Sequence, residues 1–428
     1  MKPGKSQFEK DFRSRRTIIL DTNPDKLKYN QITVYIGLYN AIQYLDSLFE
    51  SIKLQTHVKF KLILADNHSI DGTWEKVLSW PELLTNEVIL IRNPCNVGGT
   101  ANLQLNLDLI DTDWFCAFHQ DDIYLENHVE TLVEGIGIRS QDQIMISTEM
   151  LSINESGKRL ALKPRSAWLT SEMTKEEQFV ANLFTHSIYW PCTAFKTEFF
   201  KKIKVPWHSA AFPDTEILLR LLSFGSSLQM TRPTMYYREN TKSMSHYLDQ
   251  KEVTFGAAIS LIRVFSSEEF KSLVESQDKE TFEKFSKGVL NGLSIRLKNS
   301  EYLSHMVTFY ALEIFNSARG YESGNSISEL LKTYAELKGE RTVEVLRNVI
   351  EFQDALGEDS PKSIDGITYQ QISSSFVSTS KSPSFFVRRR LNKRLNRFEL
   401  LNYQVKKLML SKALKIKIKA SKNHPWGF

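Results

Sequence analysis

The chain has 428 residues, 41% of them hydrophobic, with 55 Lys and Arg against 50 Asp and Glu for a formal net charge of +5. That length exceeds what one hydrophobic core usually serves, about 250–300 residues, so a main body with further units is expected. The composition excludes a collagen, a disordered acidic solubiliser and a disulfide-stapled mini-domain, and the three cysteines, Cys95, Cys116 and Cys192, have no metal-like or redox-like spacing, as befits free thiols in a reducing compartment.

Residues 1–16 are charged throughout and lack the apolar core of a signal peptide. No run of about 18–20 apolar residues occurs anywhere, so the expectation is a cytoplasmic protein whose membrane contact, if any, is peripheral. Between residues 31 and 151, short β-branched or apolar runs alternate with helix-length amphipathic segments, the pattern of βα units feeding a mainly parallel sheet. Residues 32–37 read as a first strand, and 44–54 as a helix with Leu45, Leu48, Phe49 and Ile52 on one face. Strands follow at 60–65, 87–91 and 114–118, with helices at 72–78 and 100–109 between them. In such open sheets ligands bind outside the carboxyl ends of the strands, so the polar residues at 37–40, 66–72 and 119–122 should meet at one crevice. Further on, 187–195 reads as a strand and 215–224 as a helix ended by a left-handed Gly225. Helical patterns dominate from 250 to 356, and residues 360–384 contain nine serines, which suits a linker.

Several stretches carry chemistry. Asp66-Asn67-His68-Ser69-Ile70-Asp71-Gly72-Thr73 sits where a strand ends. Its first carboxylate could accept from a base N–H or a ribose hydroxyl, and equally the whole stretch could be an ordinary strand–turn–helix junction. Before it comes Val34-Tyr35-Ile36-Gly37-Leu38-Tyr39-Asn40, and after it Arg92-Asn93-Pro94-Cys95-Asn96-Val97-Gly98-Gly99-Thr100-Ala101-Asn102. Phe118-His119-Gln120-Asp121-Asp122-Ile123-Tyr124 is next, then Phe212-Pro213-Asp214-Thr215-Glu216 about 90 residues later.

In this order the motifs resemble those of the inverting family 2 glycosyltransferases, over roughly residues 31–247. The resemblance implies the GT-A nucleotide-diphosphosugar transferase fold, a Rossmann-like mixed and mainly parallel α/β sheet, here with a C-terminal helical extension and a basic tail. It implies that Tyr39 and Asn40 lie along the nucleotide base, and that Asp66, with Asn67 beside it, serves the uracil or ribose side of the donor. Asn96, Gly98 and Asn102 match the segment beneath the donor, where glycine lets backbone N–H groups approach phosphate or base. Asp121, next to Gln120, matches the last acid of the family's Asp-x-Asp metal motif, and Asp214 the catalytic base. The implied donor is a nucleotide sugar, UDP- or dTDP-linked, the acceptor a glycan or lipid-linked glycan, and the cofactor Mn²⁺ or Mg²⁺.

The chain departs from the pattern at three places. Gly37 stands where the family often has Pro, His119 where the metal motif has its first acid, and Pro213 where an acid precedes the base. His119 can ligate Mn²⁺ but suits Mg²⁺ poorly. Asp122 is a second candidate ligand, Glu216 a rival to Asp214 as base, and Arg238 either a donor-phosphate contact or part of a loop after the last strand. A nucleotidyltransferase would want a Gly-rich basic loop after the first strand, which Gly37-Leu38-Tyr39-Asn40 does not supply. A non-catalytic glycan- or membrane-binding protein that keeps the donor fold is the other alternative.

The charge is unevenly placed. Residues 388–428 hold 13 Lys and Arg and one acid, Glu399, a net +12 that leaves −7 for the rest. Leu391, Leu395 and Phe398 fall on one helical face among these cations, a pattern suited to an anionic membrane surface on the inner face of the membrane. No nucleic-acid-binding module accompanies the charge, so nucleic acid is disfavoured. The organisation expected is an N-terminal segment (1–30), a transferase domain (31–247), a helical extension (248–357), a linker (358–387) and a basic amphipathic tail (388–428).

Overall fold

The computed structural model of the chain describes residues 4–20, 31–57, 59–160, 170–185, 188–203, 213–239, 250–296, 307, 311 and 314–315. Chain contacts divide the protein into Met1–Val349 and Ile350–Phe428, and the second unit, with the serine-rich stretch and the basic tail, lies outside the described residues.

The described residues form a nine-stranded sheet in the order β1-β4-β3-β2-β5-β8-β7-β9-β6. Its centre is made by β2 (Ile32–Leu38), β3 (Lys61–Asp66), β4 (Val88–Arg92) and β5 (Trp114–Phe118), all mutually parallel. Strands covered on both faces must be apolar along their whole length, and β2, β3 and β5 are buried at nearly every position. The helix α2 (Leu45–Lys53) turns Leu45, Leu48 and Ile52 onto this sheet, as its apolar spacing predicts.

β3 and β4 lie on one side of β2 and β5 on the other, so the winding direction reverses between β2 and β5. That reversal opens a crevice at their carboxyl ends, where the chain leaves at Tyr39 and at His119. Beyond β5 the sheet becomes mixed: β8 (Thr193–Lys196) is antiparallel to both β5 and β7 (Gln143–Ile153), and β9 (Ser226–Arg238) is parallel to β7. The far half of β9 also pairs with the two-residue β6 (Ile123–Tyr124), directly after the 119–122 turn.

Some elements differ from the expectation. The strand read at 187–195 is shorter, because Trp190–Cys192 form a 3₁₀ turn around Pro191, whose missing N–H cannot join a sheet ladder. Trp190 packs on Phe195 and Phe200, within the protein. Tyr237 and Arg238 belong to β9 and not to a loop after it. The N-terminus adds α1 (Gly4–Arg15) and β1 (Thr17–Leu20), which pairs antiparallel with β4 at the sheet edge. α1 sits on α5 (Gly99–Asn106) through Phe12 against Ala101 and Leu105, and Arg13 and Arg16 cap the carbonyl of Leu105. Arg16 also pairs with Asp108 at 2.6 Å.

On the other flank, α7 (Lys175–Thr185) and α9 (Pro213–Phe224) pack with α10 (Gln250–Phe265), α11 (Glu268–Glu275) and α12 (Lys279–Arg296), so the described part of the expected helical extension is helical. α3 (Thr73–Val77), α4 (Trp80–Leu83), α6 (His128–Ile138) and α8 (Thr197–Lys202) complete these elements. Gly225 closes α9, though not through a left-handed backbone: its φ is not among the positive ones. Close approach explains it instead. A Cβ there would lie 2.4 Å from the main-chain oxygen of Asp142 and 3.0 Å from Ile144. Gly225→Ala is therefore expected to destabilise by about 1–3 kcal/mol through overpacking, seen as a lower urea midpoint with an unchanged slope.

Candidate active site

The crevice floor is held together by the loops that follow β2 and β3. Asn40 has a left-handed backbone, φ 47°, which asparagine tolerates better than most residues. Its N–H donates to Ser69 Oγ at 2.9 Å, and its side-chain oxygen accepts from the N–H of Ile70 at 3.1 Å. The N–H groups of Ala41 and Ile42 donate to Thr73 and Asp71. Asp66 is fully buried: its carboxylate accepts from the N–H of Ser69 at 3.1 Å and faces Arg92 at 3.6 Å. Burial pushes the Asp66 carboxyl above the usual range, against the pull of Ser69 and Arg92. Tyr39, by contrast, is exposed at the rim.

Beneath these loops runs a chain of buried amides. Asn67 donates to Asn96 at 2.7 Å while its oxygen accepts from Asn93 and from the N–H of Val97, both at 3.1 Å. Asn96 in turn accepts the N–H of Gly98 at 2.9 Å. Asn102 donates to the carbonyl of Ala65 and accepts from Tyr35, Asn93 and Asn106. Asn67, Asn93, Asn102 and Asn106 are each at most 2% exposed, so among the expected donor contacts Asn67 and Asn102 are engaged with protein, whereas Asn96 and Gly98 face outward. Gly98, at φ 85°, lets the chain turn sharply into α5. Asn93 and Asn106 were not singled out from sequence, although their signal was present: asparagine at 102 and 106 falls on one helical face.

The 119–122 turn is tied residue by residue to different elements. The His119 N–H donates to the Tyr124 hydroxyl at 2.6 Å, and Tyr124 stacks on Phe118 with ring centroids 3.6 Å apart. Gln120 and the Tyr39 backbone hold each other reciprocally, N–H to side-chain oxygen at 2.7 Å and side-chain amide to carbonyl at 3.1 Å. The main-chain oxygen of Asp121 accepts from Arg238 Nε, and Asp122 Oδ1 from the Arg238 N–H, each at 2.8 Å. Asp122 Oδ2 is buried with no hydrogen-bond partner and lies 3.7 Å from His119 Nδ1.

One atom each from His119, Asp121 and Asp122 lie within 4.8 Å of one another. Two carboxylates and an imidazole form a mixed O/N set that fits Mn²⁺ better than Mg²⁺, and the orphaned Oδ2 is the kind of buried oxygen that a hard cation satisfies. Burial, then the neighbouring charge of Asp121, pushes Asp122 well above the ordinary carboxylate range. Loss of water around the ring lowers the His119 pKa, against the opposing pull of Asp121 and Asp214.

Asp214 is thus near enough for its charge to act on His119. It stands half-buried in the first turn of α9, where an acid suits the positive end of the helix. Glu216, two residues on, falls about 200° around the helix and is fully buried. It faces Arg220 at 3.5 Å and Arg263 of α10 at 3.8 Å, and Arg220 also reaches Glu269 of α11. Burial raises its pKa to about 7. Asp214 and Glu216 thus serve different surroundings.

Residues 33–204 match the family described as Glycosyl transferase family 2. EpsE of Bacillus subtilis is 28% identical over 129 residues, 30% of this chain and 46% of its own length. The abequosyltransferase RfbV of Salmonella typhimurium is 29% identical over 103 residues, 24% of this chain and 31% of its own. The chain therefore spans less than half the length of these relatives. Among solved structures, TarS residues 1–349 of S. aureus overlap 76% of this chain and 92% of that one, at 14% identity and a TM-score of 0.48.

Two outcomes follow. Asn102→Leu leaves the partners of its amide unpaired and should cost about 1–3 kcal/mol, measured by urea unfolding. A buried acid whose pKa is raised on folding favours the fold below its unfolded value and loses that contribution as pH rises through the folded one. Wild-type stability relative to Glu216→Gln should then fall between roughly pH 4.5 and 7, by about 3 kcal/mol at most, in denaturation series across that range.

Proposed function

The chain carries a family 2 glycosyltransferase domain of GT-A fold, and from that premise we propose that it transfers a sugar from a nucleotide diphosphate to a hydroxyl of a glycan or glycolipid, with inversion at the anomeric carbon. The observation that supports this reading is the gathering of His119, Asp121 and Asp122 within 4.8 Å at the carboxyl end of β5, beside the Tyr39 loop that ends β2, with the charge of Asp214 acting on His119. Asp214 takes the proton of the acceptor hydroxyl. The acceptor oxygen forms its bond to the anomeric carbon as the bond to the diphosphate oxygen breaks, and the electron pair leaves with the nucleotide diphosphate. Attack from the far face inverts the centre.

His119, Asp121 and Asp122 would hold Mn²⁺ or Mg²⁺, Mn²⁺ being favoured by the imidazole. A bound cation of this kind neutralises charge that develops on the leaving diphosphate. Tyr39 and Asn40 border the base and ribose, and Asn96 and Gly98 the diphosphate side, while Asp66, fully buried against Ser69 and Arg92, anchors the loop beneath them and does not face the donor itself. Asn67, Asn102 and Gln120 support this reading from behind, by fixing the loops that bear those groups. UDP- or dTDP-sugars are the proposed donors, and bacterial surface polysaccharide on a lipid carrier the proposed acceptor, in keeping with the bacterial sources of the relatives.

The proposed division is a transferase domain at 31–247, a helical extension at 248–357, a serine-rich linker and a membrane-docking tail at 388–428. Among the described residues no helix is long and apolar enough to cross a membrane. The +12 charge of the tail supports peripheral binding, each cation near anionic headgroups adding about 1 kcal/mol.

Asp214→Asn should lower turnover by about 10²–10⁴ with nucleotide-sugar affinity retained, in a transfer assay over a panel of donors with and without Mn²⁺. Full activity in that variant refutes the base assignment. Deleting 388–428 should abolish co-sedimentation with phosphatidylserine vesicles, and unchanged binding would remove the membrane reading.

A further inference from the structure

Arg238 is the last residue of β9 and only 9% exposed; its side-chain hydrogen bonds go to main-chain carbonyls, its N–H bonds one carboxylate, and its guanidinium lies 5.9 Å from the Tyr44 ring centroid. Its guanidinium donates to the carbonyl of Asp121 at 2.8 Å and, from a second nitrogen, to the carbonyls of Glu155 at 2.9 Å and Asn154 at 3.4 Å. Its N–H donates to Asp122 Oδ1 at 2.8 Å, which leaves Oδ2 as the carboxylate oxygen turned toward His119. One residue therefore fixes two successive members of the 119–122 turn and ties both to the hairpin turn after β7. β6 and β9 pair immediately beyond, so the clasp lies at the root of that ladder.

We propose that Arg238 is a positioning residue for the divalent cation: it holds the 119–122 turn so that His119, Asp121 and Asp122 present their ligand atoms together. This rests on the proposed metal-binding role of the turn. Arg238 acts through the turn and not on the donor phosphates. Lysine can replace the charge but not the fork that reaches two turns at once.

The test uses the full-length chain as wild type, Arg238→Gln and Arg238→Lys. Calorimetry with UDP and dTDP is run in EDTA and in Mn²⁺, alongside titration of Mn²⁺ into the nucleotide-loaded protein and metal-free melting curves. Nucleotide affinity in EDTA should be unchanged, while Mn²⁺ affinity weakens by about 10–100-fold in Arg238→Gln and by less in Arg238→Lys. Equal loss of nucleotide affinity in EDTA and in Mn²⁺ would make Arg238 a direct phosphate contact and overturn the proposal. Unchanged Mn²⁺ affinity in either folded variant would overturn it too, as would a metal loss that merely tracks a fall in metal-free melting temperature in both. Should the wild type gain no affinity from Mn²⁺, the metal-binding reading of the turn itself fails, whatever the variants do.

Discussion

Parallel pairing of β2 with both β3 and β5 is the constraint on which the rest depends. A strand that is the origin of two opposite windings cannot have its exit loop covered by a crossover helix on either side, so a gap must remain at its carboxyl end. The register sets which residues border it. Ile36 pairs with Phe118, so the two chains leave the sheet nearly level, and Tyr39 and Gln120 are near enough for mutual hydrogen bonds. Polar side chains that would be costly within the sheet are tolerated here because each loop supplies the partners of the next.

Much of this could be read in the chain. The central strands are β-branched and continuously apolar, and their ends are marked by Asp66, by Asn40 and by the His119–Asp122 run. Periodicity was informative wherever one element buried one face. It failed where structure came from long-range pairing: β1 is four residues whose place depends on β4, and β6 has two residues made a strand by β9. The 3₁₀ turn at Trp190–Cys192 follows from Pro191 alone, yet the apolar residues around it read as a longer strand. Gly225 shows the same limit, since a glycine required by a neighbour's carbonyl looks in sequence like one required by a left-handed turn.

The candidate site was legible in its acids and less so in its amides. Asp121, Asp122 and Asp214 announce themselves by charge at strand and helix ends, and the structure gathers His119 with Asp121 and Asp122 within 4.8 Å. Helical angle separates the two acids of α9: Asp214 is half-buried, whereas Glu216, two residues on, is buried among arginines. Asparagines are harder to read, because a donor contact and a buried brace have the same composition. Nothing local to Asn67 or Asn102 says that their amides are taken by Asn93, Asn96 and Asn106. Arg238 is obscured in the same way, since its partners are main-chain carbonyls from two distant turns.

The amide chain has one more property. A carboxamide has a donating end and an accepting end, so once Asn102 gives its N–H₂ to Ala65, its oxygen must be the end that receives Asn93 and Asn106. Asn93 then orients Asn67, and Asn67 orients Asn96. The row has a polarity, set at the sheet and read out at the loop before α5. Turning any one amide over would put like ends against each other, and the whole row cannot reverse either, because the Ala65 carbonyl can only accept and the N–H groups of Val97 and Gly98 can only donate. A change at one of these positions therefore has to be matched at its neighbours if the buried amides are to stay paired.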